Sequence, residues 1–209
     1  MIPVTVYSEM TPNPSTMKFV ANKYLLPTGA SVEFENKAAA KGYSPLAEAL
    51  FDFPFVSKVF IAVNFVTVAK TDNVPWDFIT MELREFIREW ISFGKEVLIA
   101  MPSQLQHDTT DAVTDSNAIA QSTAPKKVSF EPSELDDAII DLLDQYVRPA
   151  VANDGGAIDF LGFEAGKVTV MLKGSCAGCP SSTATLKGGI ENLLKQHLPE
   201  VKEVVAFNA

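Results

Sequence analysis

Apolar and polar positions alternate in short runs near the start of the chain, the period of strands with one covered face. Val4-Thr5-Val6-Tyr7, Met17-Lys18-Phe19-Val20 and Val32-Glu33-Phe34-Glu35 carry this pattern, and Thr11-Pro12-Asn13-Pro14-Ser15 supplies a turn between the first two. Ser44-Pro45 opens a short helix through Phe51, with Ser as N-cap and Pro at the first helical position. Val59–Val63 and Phe65–Val68 then read as a hairpin about Asn64. From Pro75 the period becomes helical. Phe78, Met81, Leu83, Phe86, Ile87, Trp90 and Ile91 form one apolar stripe, expected to be core, and Phe93 falls outside it as a candidate partner contact. These elements predict a small α+β unit of sheet and helices.

The pattern lapses between Pro102 and Glu131, a run rich in Ser, Thr, Asp, Gln and Ala. Such a run buries too little apolar surface to offset its ordering entropy, so residues 102–131 read as a flexible linker between domains at 1–101 and 132–209. Beyond it, Pro132-Ser133 opens a helix with Leu135, Ile139, Leu142, Leu143 and Tyr146 on one stripe, and Pro149 near its end. Asn153-Asp154-Gly155-Gly156 is most simply a tight turn that needs positive φ. Ala157–Phe163 and Lys167–Lys173 pair around Ala165-Gly166. Pro180 starts a second helix with Leu186, Ile190, Leu193, Leu194 and Leu198 inward, Pro199 stops it, and Val201–Phe207 closes as a strand. The order is α-β-β-α-β, and the fold class of the whole is α+β in two small domains.

Composition narrows the function. The 209 residues are 47% hydrophobic and 21% charged, which suits ordinary folded domains. A net charge of −9 argues against nucleic acid or an anionic membrane surface as the main partner. No apolar run reaches the length of a membrane span, and Met1–Glu9 has neither a basic nor an apolar targeting region, so the expected compartment is the cytoplasm, or an organelle if a eukaryotic presequence has been trimmed.

Two cysteines, Cys176 and Cys179, stand two apart in Gly174-Ser175-Cys176-Ala177-Gly178-Cys179-Pro180. That spacing serves disulfide exchange, zinc binding and iron–sulfur ligation. The loop leaves a strand and enters a helix, so free N–H groups and the positive helix end are expected to face the sulfurs and favour thiolates. Gly174 and Gly178 let backbone approach closely. A thioredoxin-like site places the first cysteine at the helix start; here the second takes that place. A cubane cluster or structural zinc takes four ligands, whereas one chain offers two cysteines, with His107 in the linker and His197 near the end of the last helix. Two identical chains would supply four thiolates across a two-fold axis. Lys173, Lys187 and Lys195 are expected on a solvated face, as is His197.

Asp154-Gly155-Gly156, the cysteine loop with Ser181-Ser182-Thr183, and Leu186-Lys187-Gly188-Gly189-Ile190-Glu191 resemble the NifU C-terminal (Nfu) domain. Thr11-Pro12-Asn13-Pro14 with Met17-Lys18-Phe19, and the Val59–Lys70 hairpin followed by Trp76, resemble the Nfu N-terminal domain. The resemblance implies a non-enzymatic scaffold or carrier. Its cofactor would be a [4Fe–4S] cluster bridging a homodimer through Cys176 and Cys179 of each chain. It would receive clusters from upstream assembly proteins and deliver them to apo iron–sulfur proteins, with the N-terminal domain aiding target recognition or structure. A thiol–disulfide oxidoreductase and a structural zinc module at a dimer seam are the alternatives.

Overall fold

The computed structural model describes residues 3–71, 74–102, 130, 132–177 and 180–208, with backbone alone at 180–182. Most of the expected linker therefore lies outside the described residues.

The N-terminal part is a five-stranded antiparallel sheet of order β1-β2-β5-β4-β3, built from β1 (Val6–Met10), β2 (Thr16–Ala21), β3 (Val32–Phe34), β4 (Val56–Ile61) and β5 (Phe65–Lys70). β1 starts later than the alternation suggests because the side chain of Asn22 accepts the Thr5 amide at 3.0 Å. Helices α1 (Lys37–Ala40), α2 (Pro45–Leu50) and α3 (Trp76–Ser92) complete this part. Ser44 caps α2 as predicted, its Oγ accepting the Ala47 amide at 3.1 Å. The short α1 has no apolar period of its own; the Asn36 side chain caps it.

The apolar stripe of α3 is rotated from the expected one. Ile79, Leu83, Ile87 and Ile91 are buried, and Phe86 and Trp90 flank them, with the Phe86 ring edge-on to Phe53 at 5.2 Å. Phe78 and Met81 face outward at 77% and 60% exposure. The four-residue row of aliphatic side chains fits the sheet more closely than a row that includes bulky Phe78.

Both faces of the central strands are covered. Met17, Phe19, Ala21, Val59, Ile61, Val66 and Val68 join the core under the helices. Their neighbours of opposite parity, Val20, Phe60 and Phe65, together with Ala62 just past β4, pack instead against Ala152 and Ala157 of the C-terminal part.

That part follows the predicted α-β-β-α-β order, with α4 (Asp136–Leu142), α5 (Arg148–Asn153), β6 (Gly156–Glu164), β7 (Lys167–Gly174), α6 (Pro180–His197) and β8 (Glu203–Asn208). β6 and β7 are antiparallel, and β8 runs parallel to β7. The first helix begins later than Pro132-Ser133. Ser133 Oγ accepts the Leu135 amide, while an Asp136 carboxylate oxygen accepts the Ser133 amide at 2.9 Å, and this reciprocal pair forms the entry. A π turn over Leu143–Val147 separates α4 from α5. Pro149 lacks an N–H and its ring crowds the carbonyl of Gln145, which a wider turn relieves. Ile139, Leu143, Val147 and Val151 share the buried side, and Tyr146, expected there, is half-exposed. Ala165 and Gly166 both take positive φ, 52° and 87°, the backbone of a tight hairpin turn. Phe130 packs onto Gly162, where a Cβ would stand 2.2 Å from its ring. No described helix is long and apolar enough to cross a membrane.

Candidate functional site

β7 runs straight into the cysteine loop. Gly174 ends the strand with φ of 68°, and a Cβ there would lie 2.7 Å from the Gly155 carbonyl and 3.0 Å from the Phe60 ring. Only glycine satisfies both the backbone and the space. The Ala177 amide then donates to the Gly174 carbonyl at 3.1 Å and closes a turn that places Cys176 against β6. A Cβ on Gly156 would lie 2.9 Å from Cys176 Sγ. Asp154-Gly155-Gly156 is thus the expected turn, with Gly155 at φ 82°, and also the wall beside the sulfur. Ser175 ties the two loops together. Its amide donates to the Gly155 carbonyl at 3.2 Å and its hydroxyl to the Asp154 carbonyl. Thr183 Oγ1 in the first turn of α6 donates to the Cys176 carbonyl at 3.2 Å.

Cys176 carries a free thiol, 5% exposed within the C-terminal core. Burial pushes this thiol up to about 11, the Ser175 hydroxyl opposes the shift, and the Asp154 carboxylate adds to it. Loss of hydration, the largest cause, runs against the expected helix-activated thiolate at Cys176. A buried neutral thiol is a poor nucleophile for disulfide exchange. A metal that replaces the proton removes the penalty by neutralising the thiolate. Gly178 and Cys179 lie outside the described residues. Among the described residues, no group of three or more His, Cys, Asp or Glu is placed to hold a metal ion.

The other expected residues separate. Lys173 is buried and paired with Asp159 at 2.6 Å, not solvated. Lys187 reaches Glu203 at 3.9 Å and Lys195 pairs with Glu191 at 2.5 Å, both half-exposed on α6. His197 stacks on Tyr146, with ring centroids 6.2 Å apart. His107 lies outside the described residues.

Four residues of the N-terminal sheet and its turns grip the loop, and none was expected there. Asn13 Nδ2 donates to the Ser175 carbonyl at 3.2 Å. Thr67 Oγ1 donates to the Gly155 carbonyl at 2.8 Å. Lys18 Nζ donates to the Asn153 carbonyl at 3.1 Å while paired with Glu9. The Gly174 amide donates to Glu33 Oε2 at 2.9 Å, and the other oxygen of that carboxylate meets Lys58 Nζ at 2.9 Å. For Lys18 and Thr67 the signal is polar residues alternating with core residues on central strands covered on both faces.

A two-part chain with a glycine-walled cysteine loop between strand and helix defines a class, and sequence comparison names it. Residues 6–94 match the family model described as scaffold protein Nfu/NifU N terminal, and residues 139–205 match the NifU-like domain. The chain belongs to the NifU-like, Nfu-type family. It is 36% identical over 201 residues to NifU-like protein 4, mitochondrial, of Arabidopsis thaliana, covering 95% of this chain and 64% of that protein. It is 36% identical over 199 residues to the NFU1 iron-sulfur cluster scaffold homolog, mitochondrial, of Drosophila erecta, covering 95% and 63%. The chain thus spans somewhat less than two thirds of the length of these relatives. A solved NifU-like protein from Saccharomyces cerevisiae aligns with TM-score 0.41 and 26% identity over 46% of this chain and 84% of that one, a likeness that adds nothing to the family assignment.

Proposed function

We propose that the chain is an iron–sulfur cluster scaffold or carrier whose cargo is a [4Fe–4S] cluster held by Cys176 and Cys179 of two copies. The observation that carries this is the free, buried Cys176 thiol in a glycine-walled turn inside the region that matches the NifU-like domain. The Drosophila relative, by name an iron-sulfur cluster scaffold homolog, supports it. One chain offers two cysteines and a cubane takes four ligands, so a second copy completes the set. The reading takes 1–101 and 132–209 as domains and 102–131 as their linker. The mitochondrial relatives support an organellar setting if the source is eukaryotic.

Delivery is ligand exchange rather than enzymatic turnover. Each acceptor thiol gives up its proton and binds iron, the displaced Cys176 or Cys179 takes up a proton, and iron keeps its oxidation state.

Anaerobic reconstitution with iron and sulfide tests the proposal. About four irons and four sulfides per dimer are expected, with loss of the visible absorbance in Cys176→Ala and in Cys179→Ala. A loaded protein that sediments as a monomer overturns the shared geometry. Purification with zinc in place of iron, or insulin reduction by the metal-free chain, would favour the zinc module or the oxidoreductase.

A further inference from the structure

We infer that the N-terminal sheet is an internal cap on the cysteine loop, held through Asn13, Glu33 and Thr67, and that it lifts before two loops share a cluster. The inference rests on the shared-cluster reading.

Besides the Lys18 bond to the Asn153 carbonyl, three bonds cross from the sheet and its turns to the two backbone segments that frame Cys176. Asn13 takes the Ser175 carbonyl, Glu33 takes the Gly174 amide and Thr67 takes the Gly155 carbonyl. The framed residues are closed off accordingly, with Ser175 at 2% exposure. Apolar contact backs these bonds, as Val20, Phe60, Ala62 and Phe65 cover Ala152 and Ala157. The fit leaves no slack, since a Cβ on Gly155 would stand 3.0 Å from Thr67 Oγ1 and 3.1 Å from Thr11 Cγ2.

A cluster shared between chains needs the two loops to face each other across the iron atoms. Gly174, Ser175 and Gly155 are held against the chain's own N-terminal sheet instead, and on this inference that surface serves two exclusive contacts. The cap also answers a chemical need. The Glu33 carboxylate gives the Gly174 amide an anionic acceptor. The closed monomer and the loaded dimer are then two states of one bistable seam.

Alkylation of the full metal-free chain by iodoacetamide tests this, with peptide mass spectrometry reading Cys176 separately from Cys179. Thr67→Arg wedges the seam, and the double variant Asn13→Ala/Glu33→Ala removes two of its bonds. At least one variant is expected to modify Cys176 about tenfold faster than wild type while keeping its cooperative thermal melt. Wild-type rates in both overturn the cap. In wild type, the Gly174 amide is expected to lose hydrogen-exchange protection on loading, and equal protection before and after loading overturns the inference. If the loaded protein is monomeric by sedimentation, the shared-cluster reading fails, and the alkylation result decides the cap by itself.

Discussion

Gly156 stands so close to Cys176 that a Cβ built on it would lie 2.9 Å from the sulfur and 2.5 Å from the Lys173 carbonyl. The carbonyl belongs to β7 backbone and has nowhere to move. Gly156→Ala is therefore expected to destabilise the protein by about 1–3 kcal/mol through overpacking. It should also reduce iron loading, because the sulfur moves with β7. Urea unfolding and reconstitution on the same preparation check both effects.

On α3, a pair of substitutions separates the observed face from the expected one. Leu83 is fully buried and Phe78 is mostly exposed. Leu83→Ala is expected to cost about 2–5 kcal/mol, and Phe78→Ser about 0.5 kcal/mol or less. Equal losses in thermal denaturation would restore the stripe that the sequence pattern suggests.

The turn between β6 and β7 holds a correctable strain. Ala165 sits at φ 52°, a region that costs a non-glycine residue about 1 kcal/mol. Ala165→Asn gives the Asn-Gly pair that this turn geometry favours, and it is expected to raise stability by about 0.5–1 kcal/mol. A lower melting temperature would contradict the turn assignment.

Glu191 links α6 to β8, with one oxygen on Lys195 and the other accepting the Val204 amide at 3.1 Å. The Lys195 hydrogen bond, then the Val204 amide, hold its carboxyl below the ordinary value of 4.5. A depressed carboxyl stabilises the fold above its unfolded pKa and loses that contribution as pH falls through the folded one. Glu191→Gln should therefore be less stable than wild type at neutral pH. The gap should close below pH 4.5, as read by urea midpoints across an acid series.

Much of this was legible in the chain. Alternation and turn residues place the strands, and Ser44-Pro45 and Pro180 place helix starts where they occur. Faces were harder. A helical period leaves a wide stripe, and only the sheet beneath decides that Ile79 turns in and Phe78 out. The π turn needs a clash at Pro149 that periodicity does not register. At the site, the motif identifies the cysteine loop, but the bonds that frame it span 88 positions between Thr67 and Gly155 and 162 between Asn13 and Ser175. Local pattern contains nothing of that range. Lys18 and Thr67 look like the wet side of half-buried strands, and the second covering layer makes them interior.

The tight seam at Gly155 couples the two halves of the chain. With Thr67, Thr11 and Lys18 all within 3.4 Å of a would-be methyl group there, neither side has room to accept a larger residue alone. Exchange of either half for a relative's would need matched changes on the other.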